Sequence, residues 1–98
     1  MEPTIHSLPT LSLLRDHVRQ TLCVRNRLDA AQAELREARI VRGDRTCGVF
    51  FQIRGPRLLR TYAIWSGDEK RILYYESTGV RFAETRLVEE PDLREMAA

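Results

Sequence analysis

The chain has 98 residues, of which 43% are hydrophobic and 31% are charged, and its formal net charge is +2. This balance excludes a disordered chain, because enough apolar surface is present to offset the loss of chain entropy on folding. No apolar run reaches the ~18 residues of a membrane-spanning helix, and the basic start of a signal peptide is missing. The sequence therefore predicts one small cytoplasmic domain.

The first regular element is an amphipathic helix. Residues 1–9 contain two prolines and no periodic pattern, so we expect a flexible lead. From Thr10, a suitable N-cap residue, apolar side chains recur at spacings of three and four, which indicates a helix that ends near Arg25. The residues that should dock this helix are Leu11, Leu14, Val18 and Leu22. Cys23 falls on the opposite, polar arc, where we expect an exposed thiol.

Residues 29–42 fit either a helix or a strand. Asp29 followed by Gln32 resembles a capping box, and the alanines around them favour helix. The residues from Ala38 onward are β-prone, and Gly43-Asp44 before a second β-prone run is a hairpin signal. We therefore predict a short helix over 29–36, followed by a hairpin.

The C-terminal half reads as a series of hairpins. Turn residues separate short apolar runs by three to four positions, which is too few for a parallel crossover. The predicted strands are 46–53, 58–65, 71–76 and 80–87. The predicted fold class is α+β: an N-terminal amphipathic helix packed on an antiparallel β-meander of four to five strands. We expect a single domain over 10–90, with Phe51 and Trp65 as core anchors, and a frayed tail over 91–98.

The sequence offers no pattern for metal or cofactor chemistry. His6 and His17 are eleven residues apart, and Cys23 and Cys47 form no metal-binding or disulfide framework. Phosphate-binding glycine motifs and nucleophile motifs are missing as well. We therefore predict no metal and no cofactor, and a protein that is more plausibly a binding domain than an enzyme.

The strands do not alternate cleanly between apolar and polar residues. A half-solvated antiparallel sheet should do so, because successive side chains point to opposite faces. Either strand twist and edge aromatics leave some apolar side chains half-exposed, or both faces need cover, and one amphipathic helix covers only one of them. The second face would meet the 29–36 segment, a second copy of the chain or a protein partner. The main hypothesis is an interaction module, self-associating or protein-binding, with the interface residues Leu58, Leu73 and Tyr75.

An alternative hypothesis is nucleic-acid binding by the arginine-rich segment 36–60. This segment has seven arginines against two acidic residues, with Phe50 and Phe51 between them. Guanidinium groups bind phosphates, and aromatic rings on a sheet stack on bases. The arginines that would bind are Arg42, Arg45, Arg54, Arg57 and Arg60. The other interpretation is that these arginines are ordinary solvated side chains on strand faces. Their number would then reflect the codon usage of a GC-rich genome.

The order of elements also resembles the bacterial RelE-like toxins, which cut messenger RNA with basic and aromatic side chains on a sheet. The residues that correspond most nearly are Arg60, Tyr62, Arg71 and Tyr75. The resemblance is architectural, because no motif of the family is present and the chain has a single lysine, Lys70. It implies a ribonuclease activity as a third hypothesis.

Overall fold

One α-helix and six β-strands make up the part of the chain that the computed structural model describes, residues 2–55 and 60–96. The helix, α1, comprises Leu11–Asn26, and a 3-10 turn follows the last strand at Leu93–Met96. The strands are β1 Thr4–Ser7, β2 Arg36–Arg42, β3 Arg45–Arg54, β4 Arg60–Ser66, β5 Arg71–Tyr75 and β6 Arg81–Glu89.

Helix α1 begins with the cap that its sequence favours and ends at a residue in the left-handed conformation. The Thr10 hydroxyl accepts a hydrogen bond from the Leu13 amide at 3.2 Å, which satisfies one of the free N–H groups at the start of the helix. Arg27 ends the helix in the left-handed conformation, with φ of 56°. The predicted docking residues are confirmed: Leu11 is half-buried, and the three that are fully buried are Leu14, Val18 and Leu22.

The prediction for Cys23 is wrong, because its side chain is only 1% exposed. After Arg27 the chain turns back across the end of α1, and the Leu28 amide donates to the Cys23 carbonyl at 2.9 Å. The residues that follow pack against the same core as Cys23. Burial raises the pKa of Cys23, as it does for a thiol in apolar surroundings.

The sheet has the strand order β1-β6-β5-β4-β3-β2, and β2 to β6 form the predicted antiparallel meander. The prediction of four to five antiparallel strands is incomplete, because β1 adds a sixth strand that pairs with β6 in parallel. The α+β class is confirmed, with a mixed sheet in place of an antiparallel one. Strand β1 is an edge of only four residues and mostly exposed, so it carries no apolar pattern by which to predict it.

The short helix predicted over 29–36 is a single turn. The Asp29 carbonyl accepts hydrogen bonds from the Gln32 and Ala33 amides, and the Asp29 carboxylate accepts one from the Ala31 amide at 2.9 Å. The chain then becomes extended and pairs with β3 from Arg36 onward, which satisfies more backbone groups than a second turn would. The turn packs against the core on the side of α1. The 29–36 segment therefore does not provide the predicted cover for the second face of the sheet.

The core lies between α1 and the inner face of the sheet. Phe51 and Trp65 are both fully buried there, as predicted, together with Ile72 and Tyr74. The Trp65 indole donates a hydrogen bond to the Glu90 carboxylate at 3.2 Å, and partial burial raises the pKa of Glu90. The C-terminal residues thus also lie on the inner side. In the described part of the chain no helix is long and apolar enough to cross a membrane.

Both histidines also lie on the inner side of the sheet. The His17 Nε2 and the Tyr74 hydroxyl contact the Thr85 hydroxyl at 3.2 and 3.1 Å, which links α1 to β5 and β6. The His6 ring of β1 lies 4.3 Å from the His17 ring between centroids. Burial, and then the charge of His6, lower the pKa of His17. The outer face of the sheet therefore takes no histidine from the described residues.

Candidate binding face of the sheet

The outer face of the sheet, which we call the open face, is the candidate site. Direct partners in an antiparallel register lie on the same face, so rows of side chains can be followed across β2 to β6. One such row, the tyrosine rung, consists of Arg36, Gln52, Tyr62, Tyr75 and Arg81. A bulge in the β5–β6 register packs Phe82 against the core and pairs Arg81 with Tyr75. The next row, the aliphatic rung, consists of Ala38, Phe50, Ile64, Leu73 and Glu84.

The centre of the open face is apolar and partly solvated. Phe50, Ile64 and Leu73 of the aliphatic rung are each half-buried, whereas Phe51, Trp65 and other inner neighbours are fully buried. Among residues 2–55 and 60–96, α1, the 28–35 turn and the C-terminal residues all pack on the inner side. In the described part of the chain, this half-burial comes from neighbouring side chains within the sheet, and neither the helix nor a turn covers the face.

Three aromatic rings form a row across β3, β4 and β5. The Tyr62 and Tyr75 rings are stacked, with centroids 5.0 Å apart and planes 13° apart. The Phe50 ring lies 5.6 Å from the Tyr62 ring at 32°. Such offset pairs stabilise each other by about 0.5–1.5 kcal/mol beyond the area that they bury. A planar ligand can extend this row with little loss of side-chain entropy, because the rings already hold one another in place.

Arginines surround this aromatic row. A third row of the open face consists of Ile40, Gly48, Ser66, Arg71 and Arg86, and Arg54 and Arg60 form a pair at its other end. Together, the three rows and this pair contain six arginines and one glutamate. Acidic partners neutralise the arginines of the third row: Glu69 pairs with Arg71 at 2.6 Å, and Glu84 with Arg86 at 3.1 Å. This end of the face is electrostatically balanced.

The other end of the open face is not balanced. Arg54 ends β3 and Arg60 begins β4, and the two are direct partners in the register. Neither forms an ion pair with any described residue, and the same holds for Arg81 at the edge of the tyrosine rung. Like charges directly opposite each other destabilise a sheet. Three cations thus lie on the same face as the stacked tyrosines, and no acid of the described residues pairs with them.

The structure divides the five arginines that the sequence proposed for nucleic-acid binding. Arg54 and Arg60 lie on the open face, whereas Arg42 and Arg45 are partners at the tip of the β2–β3 hairpin. The ten residues of β3 place the tip about 30 Å from Arg54. Arg57 lies outside the described residues.

The proposed interface residues Leu73 and Tyr75 lie together on the open face, and Leu58 lies outside the described residues. The four residues of the toxin resemblance, Arg60, Tyr62, Arg71 and Tyr75, also share this face. Arg36 and Arg81 could not be named as site residues from the sequence, because neither is close to Tyr62 or Tyr75 in a pattern that would place them on one face. Only the register brings them into one row.

The described residues contain no group of three or more His, Cys, Asp or Glu side chains that could hold a metal ion. Comparisons with protein-family models, with curated proteins and with solved structures find no match to this chain. The function must therefore be inferred from the chemistry of the open face.

Proposed function

We propose that this chain is a non-enzymatic binding domain that holds single-stranded nucleic acid on its open face. The observation that carries the proposal is the juxtaposition of a stacked aromatic row with three arginines that have no acidic partner among the described residues. Aromatic rings beside a positively charged track are the two features by which sheet surfaces bind single strands.

Stacking supplies the first part of the interaction. Bases of a single strand expose their faces, and each base that stacks on an aromatic side chain contributes about 1–3 kcal/mol. Tyr62 and Tyr75 are held parallel and half-buried, so their rings are already in place before a ligand arrives. A paired duplex hides its base faces and would gain nothing from this row.

Phosphate contact supplies the second part. Arg54, Arg60 and Arg81 flank the tyrosines on the same face, and a guanidinium binds phosphate oxygens in bidentate fashion. A strand whose bases extend the aromatic row would bring its backbone to these arginines. Binding would also relieve the repulsion between Arg54 and Arg60.

Self-association through the open face is the second candidate function. The half-buried aliphatic residues Ile64 and Leu73 favour it, because an apolar centre with an arginine-rich rim is typical of protein interfaces. A two-fold pair would, however, bring Arg54, Arg60 and Arg81, which have no acidic partner among the described residues, into one interface with the same three arginines of the second copy. This like-charge contact makes a polyanion the better complement to the face.

The first test is the salt dependence of binding to a single-stranded RNA of mixed sequence. Each neutralised phosphate contributes about −0.7 to the slope of log K against log salt for single strands, so three arginines predict a slope of roughly −2. The double variant Arg54→Gln/Arg60→Gln should reduce the magnitude of the slope by roughly 1.4. Fluorescence anisotropy between low and physiological salt measures both values.

The matched control is Arg42→Gln/Arg45→Gln, which removes the same charge from the hairpin tip. We expect this variant to bind as the unmodified chain does. Equal losses from both double variants would contradict a defined site and indicate general electrostatic attraction.

Light scattering on the same samples detects a dimer, and electrophoresis of the recovered RNA detects cleavage. A dimer that does not bind RNA would favour self-association as the function of the open face. Shortened RNA would favour the ribonuclease hypothesis.

A further inference from the structure

We propose that Arg54 and Arg60 form a subsite for a terminal phosphate monoester, so that the domain binds the phosphorylated end of a single strand. This inference rests on the proposed function above and specifies its ligand. It follows from the position, exposure and lack of compensation of the two arginines.

The two arginines lie opposite each other on neighbouring strands. Arg54 and Arg60 are direct register partners, so their Cα atoms lie about 5 Å apart and their side chains leave the sheet on the same face. Both side chains are exposed. A cleft of about 110 Å³ adjoins Arg54 and is lined by Glu34, Arg36, Gln52 and Arg54. Glu34 contacts Arg36 at 3.7 Å, so the acid in this cleft already has a cationic partner.

Another opposed arginine pair of the sheet provides an internal comparison. Arg71 and Arg86 face each other across β5 and β6, as Arg54 and Arg60 do across β3 and β4. Glu69 and Glu84 contact Arg71 and Arg86. No described acid contacts Arg54 or Arg60. The fold thus neutralises the Arg71–Arg86 pair internally. Arg42 and Arg45 at the hairpin tip form a further opposed pair that no described acid contacts, but this pair lies about 30 Å from Arg54, whereas Arg54 and Arg60 lie on the face of the tyrosines.

The charge of the subsite distinguishes a terminal phosphate from an internal one. A phosphate monoester carries about −1.5 to −2 charges at pH 7, whereas each internal diester carries about −1. Two opposed guanidinium groups match the monoester. Arg60 and Tyr62 are two positions apart on one face of β4, about 7 Å, which a single nucleotide spans. The terminal base would then extend the aromatic row while its phosphate contacts the arginine pair.

The test compares three oligonucleotides of one sequence, about eight nucleotides long, with a 5′-phosphate, a 3′-phosphate or hydroxyls at both ends. Each is titrated into the unmodified chain, Arg54→Gln/Arg60→Gln and Arg42→Gln/Arg45→Gln. We expect one phosphorylated end to raise the affinity about tenfold in the unmodified chain and in the hairpin-tip variant. The gain should vanish in Arg54→Gln/Arg60→Gln, and millimolar inorganic phosphate should abolish it in the unmodified chain.

The outcomes separate this inference from the proposed function. Equal affinity for all three oligonucleotides would overturn the terminal-phosphate subsite and leave single-strand binding intact. A gain that persists in Arg54→Gln/Arg60→Gln would place the subsite elsewhere and overturn the assignment. No binding of any oligonucleotide would overturn both proposals. Thermal unfolding checks that the two double variants are folded. We expect both to be folded, because each removes a pair of like charges that face each other on the surface.

Discussion

Truncating Ile72 to alanine is expected to lower the free energy of unfolding by about 2–5 kcal/mol. Ile72 is fully buried on the inner face of β5, opposite Trp65 on β4. Its truncation removes buried methyl and methylene groups and leaves a cavity that the surrounding sheet and α1 cannot fill completely. Urea denaturation measures the loss as a shift of the midpoint at an unchanged m-value.

Ile64 is the matched control for this substitution, because it lies one position from Trp65 on the opposite face of the sheet. Its side chain is half-buried, so Ile64→Ala should cost less than half as much as Ile72→Ala. Equal losses in the free energy of unfolding would contradict the conclusion that the open face is only half-buried. They would show that both faces are buried, as they would be in a stable dimer.

Replacing Tyr62 and Tyr75 together with alanine is expected to weaken the binding of a single-stranded oligonucleotide by about 10- to 100-fold. The two rings form the centre of the aromatic row, and their loss removes the surface on which bases stack. Charge is unaffected, so the salt dependence of the residual binding should keep its slope. Fluorescence anisotropy at several salt concentrations measures both quantities.

The control for the tyrosines is Tyr62→Phe/Tyr75→Phe, which keeps the rings and removes only the hydroxyl groups. We expect its affinity to remain within about threefold of that of the unmodified chain, because stacking depends on the ring faces. If the alanine variant binds as well as the phenylalanine variant, bases do not stack on this row. Circular dichroism checks that both variants are folded.

The sequence was informative where local periodicity decides the structure. The spacing of Leu14, Val18 and Leu22 predicts the face that α1 buries, and Thr10 predicts where it begins. The turns between strands predict the meander. Strand β1 could not be predicted, because backbone pairing with β6 and a few side-chain hydrogen bonds at its ends hold it in place. The 29–36 segment carried helical residues, but pairing of the following residues with β3 limited it to one turn.

The candidate site depended on the register, which sequence alone does not fix. Tyr62 and Tyr75 become neighbours only because the turn between β4 and β5 sets that pairing, and a slip of one residue would send Tyr75 into the core. The sequence suggested an uncovered face and an arginine-rich segment as separate hypotheses. The structure brings Arg54 and Arg60 onto that face. It also shows that Glu69 partners Arg71, which composition could not reveal.

The most direct test of the central claim, that the open face is the binding surface, is a methyl NMR titration of the unmodified chain with a single-stranded oligonucleotide. The Ile64 and Leu73 methyl groups lie on the open face, whereas those of Ile72 and Leu14 lie in the core. We predict that the Ile64 and Leu73 signals shift progressively during the titration while the Ile72 and Leu14 signals stay in place. Shifts confined to the core methyl groups, or no shifts at millimolar oligonucleotide, would contradict the account.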